Sequence, residues 1–215
     1  MTGARAIDLT RLWAVVPIRG LETAKTRLGG ELDAEERLDL VTEMLRRTLV
    51  ATRDARAISG TIVVTLDPAA ARLAKVHRAV GLVERVPGLN EAIVAGRSVA
   101  VARGASAVVV LPADLARVSA DAIDDLVAEV ARETSSNGSV VALVPDRHGA
   151  GTNLLLLAPP DVIQPSFGIA SRDAHRAGAA AAGAGYLELG GPLTLDVDTA
   201  ADLLLAEPAL GGPGG

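Results

Sequence analysis

The amino-acid sequence predicts a single α/β domain, a Rossmann-like three-layer sandwich with a mostly parallel central sheet. Apolar runs of strand length alternate with helical patterns along almost the whole chain, which is typical of successive βα units. The length of 215 residues suits one domain, which we place at residues 1–210, followed by a flexible tail at 211–215. Only three residues are aromatic, so Val, Leu, Ile and Ala must fill the core, as they do in parallel sheets covered by helices.

Four strands and three helices are predicted in the first half of the chain. Asp33, Asp67 and Asn90 are predicted N-caps, because Asp and Asn side chains accept hydrogen bonds from the first turn of a helix. Pro68 follows the second cap at a favoured first helical position. The fourth strand is the most apolar, so we expect it at the centre of the sheet. The predicted strands are Leu12–Ile18, Thr61–Leu66, Leu82–Val86 and Ala107–Leu111.

The second half of the chain continues the alternation. Ser119 is predicted to cap a helix with a clean apolar face, and Thr199 to cap a short terminal helix that ends near Glu207. A further helix is predicted from Ser171 to about Gly183. The predicted strands are Val140–Val144, Leu154–Leu157 and Leu193–Val197.

Composition excludes several classes of function. There is no cysteine, so disulfides, iron–sulfur clusters and thiolate catalysis are ruled out. The formal net charge of −5 argues against broad nucleic-acid binding, which needs a positive surface. No stretch approaches the roughly 20 apolar residues of a membrane span, and the first eleven residues contain no apolar run. We therefore expect a soluble, cytoplasmic protein with neither nucleic acid nor membrane as a partner.

The loop after the first predicted strand is the most basic segment that adjoins a strand end. It places Arg19, Lys25 and Arg27 within nine residues, and Lys25 is one of two lysines among the 21 basic residues. Ala24 precedes the lysine where a P-loop needs glycine, and no G-x-G-x-x-G follows a strand, so neither nucleotide motif is present. The loop is suited to hold phosphates by charge and by backbone N–H groups. The alternative is a solvated basic loop without a ligand.

Three aspartates lie at two further strand ends. Asp114 follows the most apolar strand, while Asp196 and Asp198 belong to the last predicted strand, whose alternation would point both side chains to one side. Ligands of open α/β sheets bind beyond the carboxyl ends of the strands, and Mg²⁺ is commonly held by carboxylates together with phosphate oxygens. We therefore expect a metal site. The alternative for Asp114 alone is a cap on the next turn.

The segments at 146–153 and 167–175 resemble a pocket for an anion. Glycines permit close approach of the backbone, while Thr152, Ser171 and the predicted helix N-terminus offer hydrogen-bond donors. His148 and His175 stand nearby, but transfer to an already ionised phosphate needs no general base. We therefore assign both histidines a surface or structural role.

Taken together, these segments resemble the CofC/FbiD guanylyltransferases of deazaflavin coenzyme F420 biosynthesis, relatives of the MobA-like nucleotidyltransferases of GT-A type. The resemblance covers about residues 12–207. It rests on six motifs in order: AVVPIRGLETAKTRL, GLNEAI, LPADL, GTN, FGIAS and DVDTAADL. Many relatives have FGPGS or FGPDS where this chain has FGIAS, which affects the shape of the acceptor pocket rather than the class of reaction.

The resemblance implies transfer of GMP from GTP to phosphoenolpyruvate or 2-phospho-L-lactate, with Mg²⁺ as cofactor and pyrophosphate as product. A transferase of the same pathway would then take up the product. Catalysis would depend on Lys25, Arg27 and Asp114. The implied binding residues are Asp114, Asp196 and Asp198 for the metal, Thr152, Gly168 and Ser171 for the acceptor, and Pro17, Lys25, Arg27 and Asn90 for the nucleotide.

Two alternatives remain at this point. One is a related nucleotidyltransferase that uses 3-phosphoglycerate, a sugar phosphate or molybdopterin as acceptor. Those that act on sugar phosphates or molybdopterin would be expected to open with a more glycine-rich first loop. The other is a domain that binds a nucleotide without catalysis, which would be expected to have lost carboxylates that this chain retains.

Overall fold

The computed structural model describes residues 7–84, 88–134 and 138–210, so the predicted tail at 211–215 lies outside the described residues. One sheet of seven strands organises this part of the chain. Its strands are β1 (Leu12–Ile18), β2 (Ile58–Thr65), β3 (Val80–Val83), β4 (Ala107–Val110), β5 (Val140–Pro145), β6 (Thr152–Ala158) and β7 (Gly185–Glu188). They lie in the order β3-β2-β1-β4-β6-β5-β7, which places the apolar strand β4 at the centre, as predicted.

The sheet is mostly parallel, as the sequence predicts, and β6 alone is reversed. It pairs antiparallel with β4 on one side and with β5 on the other, whereas the remaining neighbours are parallel. An antiparallel strand begins where its neighbour ends. The first residue of β6, Thr152, therefore lies at the edge of the sheet where β1 and β4 end.

Helices cover both faces of the sheet and complete the predicted three-layer sandwich. Apolar residues of α1, α2 and α4 form one core cluster with one face of the strands, while those of α3 and α5 form a second cluster with the other face. In β4, for example, Val109 belongs to the first cluster and Val110 to the second, because successive side chains alternate across a strand. The helices are α1 (Ala34–Asp54), α2 (Pro68–Val76), α3 (Leu89–Ala102), α4 (Ala120–Glu133), α5 (Ser171–Ala182) and α6 (Ala200–Leu210).

Three of the helices that line the sheet begin at predicted caps. The Asp33 carboxylate accepts from the backbone of α1, and the side chain of Glu36 accepts in return from the backbone N–H of Asp33, which completes a capping box. Asp67 accepts from Ala69 N at 2.7 Å, and Ser119 accepts from Ala122 N at 3.1 Å. All three caps lie in loops that follow a strand of the sheet, at the edge where the candidate site lies.

Several predicted elements are wrong or displaced. The helix α3 begins at Leu89 after Gly88, so Asn90 is not its N-cap. Residues 193–197 do not form a strand; Pro192–Thr194 is a 3-10 turn, and a single antiparallel bridge then joins Asp196 to Leu115. β2 begins three residues earlier than predicted. β3 is Val80–Val83, and residues 85 and 86 of the predicted strand lie outside the described residues.

β7 was not predicted, because it follows an Ala-rich helix directly and has only four residues. It pairs in parallel with β5. Among the described helices, none combines the length and the apolar character that a membrane span requires.

Candidate active site

Lys25 lies between two aspartates from distant parts of the chain. Its Nζ donates to Oδ2 of Asp114 at 2.6 Å and to Oδ1 of Asp198 at 2.7 Å. β1 and β4 are parallel neighbours, so the loops that carry Lys25 and Asp114 leave the sheet side by side. The structure therefore brings together the basic loop and two of the three predicted aspartates.

The ion pairs hold the Lys25 side chain in a buried, charged state. Only 10% of that side chain is exposed, compared with 29% for Asp114 and 46% for Asp198. Burial alone would lower the pKa of Lys25, but the charges and hydrogen bonds of both carboxylates outweigh it, so the pKa is raised. The ammonium thus remains protonated at neutral pH.

The backbone at Lys25 is unusual for a residue with a side chain. Its φ of 56° is left-handed, and the chain then enters a 3-10 turn, Thr26–Leu28, anchored by the fully buried Leu28. A left-handed residue other than glycine costs on the order of 1–3 kcal/mol and is typical of functional sites. The backbone of Arg27 lies in this turn, but its side chain falls outside the described part of the structure.

Asp196 lies beside the same cluster but faces a different partner. Its Oδ1 accepts from Nδ2 of Asn153 at 3.3 Å, and its backbone forms the bridge to Leu115, directly after Asp114. Burial raises the pKa of Asp196, and the charges of Asp114 and Asp198 raise it further. The alternation argument for Asp196 and Asp198 was wrong because this segment is not a strand, yet both residues reach the same edge.

The carboxylates do not form a ready-made metal cage. In residues 7–84, 88–134 and 138–210, no three Asp, Glu or His side chains are grouped closely enough to hold a metal ion. The geometry gives a reason, since the Lys25 ammonium lies between Asp114 and Asp198. Burial, and to a smaller extent the charges of Asp114 and Asp198, raise the pKa of Asp196, so a cation that binds there would favour its ionised form. Hard oxygen donors are also the ligands that Mg²⁺ prefers.

Asp202 positions Asp198, and the sequence analysis missed it. Its Oδ2 accepts from the backbone N–H groups of Asp198 at 3.1 Å and Thr199 at 2.8 Å, while Oδ1 pairs with Nη2 of Arg147 at 2.5 Å. Asp202 N donates to Thr199 Oγ1 at 3.3 Å, so Thr199 does cap α6. The spacing Thr199-x-x-Asp202 is a capping-box pattern from which this role was predictable.

Three cavities meet at this edge of the sheet. The carboxylate cavity has a volume of about 320 Å³ and is lined by Arg19, Lys25, Asp114 and Asp198. The β2–β3 cavity, of about 200 Å³, lies between the ends of those strands and includes Glu84. The hydroxyl cavity, of about 320 Å³, is lined by Thr152, Gly168 and Ser171. The buried Pro17 borders all three cavities.

The hydroxyl cavity contains the residues expected to bind the acceptor, Thr152, Gly168 and Ser171. Thr152 Oγ1 lies 3.1 Å from Ser171 Oγ and 3.1 Å from Nδ1 of His175. Gly168 has a φ of 130°, a conformation that favours glycine. Asp114 also borders this cavity, which places it at the junction with the carboxylate cavity.

Two residues of α3 hold the loop that carries this pocket. The Asn90 amide donates to Phe167 O at 3.1 Å and accepts from Phe167 N at 2.8 Å. Arg97, seven residues later, is buried and donates to Pro160 O, to Ile163 O at 2.9 Å and to Gln164 Oε1 at 3.0 Å.

Asn90 follows two residues that line the β2–β3 cavity, Gly88 and Leu89, and its expected role near the nucleoside stays a prediction. The role of Arg97 has no signal in the sequence, because an arginine in a helix is usually exposed.

The two histidines differ in environment. His148 is exposed and accepts from Nε of Arg147 at 3.2 Å, which fits the expected surface role. His175 is fully buried, which fits a structural role, and burial lowers its pKa to about 4. The spacing Ser171-x-x-x-His175 places both residues on one face of α5, so the proximity of His175 to the pocket was readable from the sequence.

Comparison with known proteins places the chain among nucleotidyltransferases. A family model described as "Guanylyl transferase CofC like" matches residues 12–209. Phosphoenolpyruvate guanylyltransferase of Sphaerobacter thermophilus is 41% identical over 191 residues, which is 88% of this chain and 89% of the relative. The protein of the same name from Conexibacter woesei is 37% identical over 193 residues, 89% of this chain and 85% of the relative.

The same fold occurs in a solved structure. A crystal structure from Desulfovibrio desulfuricans, described as a nucleotide-diphospho-sugar transferase, superposes with a TM-score of 0.71 and covers 94% of this chain and 89% of that one. Sequence identity is 16%, so this likeness shows the fold alone. It confirms the nucleotidyltransferase-like α/β sandwich that the sequence predicts.

Proposed function

Because the chain belongs to the family of CofC-like guanylyl transferases, we propose that it transfers GMP from GTP to phosphoenolpyruvate and releases pyrophosphate. The observation that carries the proposal is the contact of Lys25 with Asp114 and Asp198 in the carboxylate cavity, where Asp114 also borders the hydroxyl cavity. The named relatives at 41% and 37% identity support phosphoenolpyruvate as the acceptor. Both substrates are metabolites of the cytoplasm, where we expect the protein to act.

Each cavity suits one part of the substrates. The carboxylate cavity carries the cations Arg19 and Lys25 and would take the triphosphate. The β2–β3 cavity adjoins it through Pro17 and would take the nucleoside. The hydroxyl cavity offers Thr152 and Ser171 to the carboxylate or phosphate of the acceptor. This arrangement would bring the α-phosphate and the acceptor phosphate together near Asp114.

The donor set fits Mg²⁺. Asp114, Asp196 and Asp198 supply hard carboxylate oxygens, and the pKa of Asp196 is raised by burial and, to a smaller extent, by the other two carboxylates. Bound there, Mg²⁺ would neutralise charge on the phosphate oxygens and orient the triphosphate. The Lys25 ammonium, on its flexible stem, would then be released from the carboxylates to a phosphate oxygen.

The reaction needs positioning and charge compensation rather than a side-chain nucleophile. An oxygen of the acceptor phosphate forms a bond to the α-phosphorus of GTP, and the bond from that phosphorus to the oxygen bridging to the β-phosphate breaks in line. Pyrophosphate leaves with the electron pair. The attacking phosphate is already ionised, so no proton has to be removed. Lys25 and Arg27 would offset the repulsion between the two anionic reactants.

The test is release of pyrophosphate by the purified full chain with Mg²⁺, GTP and one acid at a time. Phosphoenolpyruvate, 2-phospho-L-lactate and 3-phosphoglycerate form one series, and ATP and CTP replace GTP in another. The pathway transferase that we expect to use the product is added, so that the product is consumed as it forms. Release with GTP and phosphoenolpyruvate alone supports the proposal. Turnover that prefers another acid of the series or another nucleotide, or an Asp114→Ala variant with normal activity, would overturn it.

A further inference from the structure

His175 is the buried residue beneath the hydroxyl cavity. None of its surface is exposed, and its ring packs edge-on against Phe167 with the ring centres 5.1 Å apart. It lies four residues after Ser171 in α5, so both side chains point to the same side of the helix. Its two ring nitrogens have different partners, which fixes where its proton lies.

The backbone sets the tautomer of this imidazole. The N–H of Ser166 donates to Nε2 of His175 at 2.9 Å, so Nε2 cannot carry a hydrogen. A neutral imidazole has one N–H, which must therefore be on Nδ1. Burial keeps the ring neutral by lowering its pKa to about 4. Nδ1 thus donates to Thr152 Oγ1, which lies 3.1 Å away.

This direction of donation determines how many hydrogens the hydroxyls of Thr152 and Ser171 can donate to a ligand. Thr152 cannot donate to His175, and one hydrogen bond of 3.1 Å joins Thr152 to Ser171. Two hydroxyl hydrogens are available and that bond uses one of them, whichever residue donates. Among the described residues, neither hydroxyl donates a hydrogen bond to any other group. One hydrogen is therefore left for the cavity that both side chains line.

We propose that His175 is a positioning residue that makes the Thr152–Ser171 pair a fixed hydrogen-bond donor to an anionic oxygen of the acceptor. The inference rests on the proposed function and deepens it, because it assigns the recognition of the acceptor to a relay from Ser166 N–H through His175 to Thr152. With the proton on Nε2 instead, Thr152 would donate inward to Nδ1. The pair would then be tied to the protein and would bind an anion less well.

The relay also indicates the chemical class of the bound group. A buried hydroxyl donor suits a carboxylate or phosphate oxygen, and an amine or another donor would leave the last hydrogen unpaired at a substantial cost. Thr152 and Ser171 are 8% and 1% exposed, so water competes poorly for this hydrogen. Phosphoenolpyruvate presents both kinds of anionic oxygen.

The tautomer can be tested without turnover. The chain has three histidines, so the ¹⁵N resonances of the His175 ring can be assigned by comparison with His175→Gln. We expect the pattern of a neutral ring protonated at Nδ1 at pH 7. A ring protonated at Nε2, or at both nitrogens, would overturn the inference and would leave the guanylyltransferase proposal untouched.

The relay can be tested by a double-mutant cycle on Thr152→Val and His175→Gln. Glutamine can still accept from Ser166 N–H but is not placed to donate to Thr152. A hydrogen bond to a charged group predicts a rise of about 10- to 100-fold in the KM for phosphoenolpyruvate in Thr152→Val, with the KM for GTP little changed. His175→Gln should raise the same KM by several-fold, and only slightly in the Thr152→Val background.

Controls separate this role from a general loss of structure. His77→Asn, at the far end of α2, should leave both KM values unchanged, and melting temperatures show whether each variant folds. Binding of phosphoenolpyruvate, measured by calorimetry, should weaken in parallel with the KM. The relay would be refuted if the two substitutions raised the KM for phosphoenolpyruvate independently, so that the double variant showed the product of the single effects. Equal changes in the KM values for phosphoenolpyruvate and GTP would also refute it. Failure of wild-type protein to bind phosphoenolpyruvate while it turns over another acid would instead refute the proposed acceptor.

Discussion

Replacement of Lys25 by methionine tests whether its ammonium and a divalent ion use the same carboxylates. Methionine keeps an unbranched apolar stem but removes the charge that Asp114 and Asp198 share at 2.6 and 2.7 Å. Exposed ion pairs contribute at most about 1 kcal/mol, and breaking a buried pair costs about 3–5 kcal/mol. The side chains of Lys25, Asp114 and Asp198 are 10%, 29% and 46% exposed, so their ion pairs lie between the exposed and the buried case. We therefore expect the variant to lose about 1–3 kcal/mol of unfolding free energy without metal.

Added Mg²⁺ should reverse much of that loss. Without the ammonium, both carboxylates can turn to the ion, so its affinity should rise, and each tenfold gain adds about 1.4 kcal/mol at saturating metal. Urea unfolding with EDTA and with Mg²⁺ measures the difference. Turnover should nevertheless fall by about 100-fold or more, because the charge that offsets the phosphates is gone.

The matched control is Lys75→Met, which changes the second lysine on the exposed side of α2. It should alter neither stability nor the effect of Mg²⁺. Equal stabilisation by Mg²⁺ in wild type and Lys25→Met would show that the two cations do not compete. Unchanged stability of Lys25→Met in EDTA would show that the ion pairs contribute nothing.

Three further predictions concern the support of the site. Asp202→Asn should lower kcat about 10-fold and cost about 1–3 kcal/mol, because the turn that carries Asp198 loses a charged acceptor; pyrophosphate release and urea unfolding measure both. Gly168→Ala, at a φ of 130°, should cost about 1–3 kcal/mol and raise the KM for the acceptor, whereas Gly30→Ala, in open space at an ordinary φ, should do neither. The pKa of His175 is about 4 when folded and 6.5 when exposed, so the unfolded chain binds the extra proton. The neutral His175 ring contributes fully to the free energy of unfolding above pH 6.5, and this contribution falls by about 1.4 kcal/mol for each pH unit down to pH 4. Urea unfolding should show that this pH dependence is missing in His175→Gln.

The sequence was sufficient to predict helix starts, which depend on local chemistry, and the central strand, which is marked by a run of apolar residues. The cap residues Asp33, Asp67 and Ser119 start their helices as predicted, because a side chain two or three residues from a free N–H decides that position. The central place of β4 follows from its apolar run, since a strand with neighbours on both sides and helices on both faces is fully buried.

The wrongly predicted elements are those whose conformation depends on contacts with residues far away in the sequence. The segment with Asp196 has the alternation of a strand, but after Pro192 it pairs with the chain near Leu115 through a single β-bridge and does not extend into a strand. Asn90 looks like a cap, yet its amide is used by Phe167, which lies 77 residues away in the chain. A local rule cannot foresee a competing partner of that kind.

The reversal of β6 explains why local patterns in the sequence do not place Thr152 beside Asp114. In a wholly parallel sheet Thr152 would lie at the opposite edge, far from Asp114, because parallel strands begin together and end together. Nothing in the apolar pattern of Leu154–Leu157 distinguishes the two directions, although the short connection from β5 favours the antiparallel one. Thr152 and Asp114 border the same cavity because β6 runs antiparallel to β4.

The helix α3 links the two halves of the candidate site. Gly88, Leu89 and Ala92 line the β2–β3 cavity, and Asn90 and Arg97 hold the loop before Ser171. A helix of fourteen residues is stiff, so a nucleoside bound against its first turn, as we propose, would be fixed relative to the loop before Ser171. In-line transfer depends on the distance between the attacking oxygen and the α-phosphorus, and a misplacement of about 1 Å costs roughly 100-fold in rate. Arg97, buried and held by carbonyl and amide oxygens of that loop, would help to set this distance if the substrates bind as we propose.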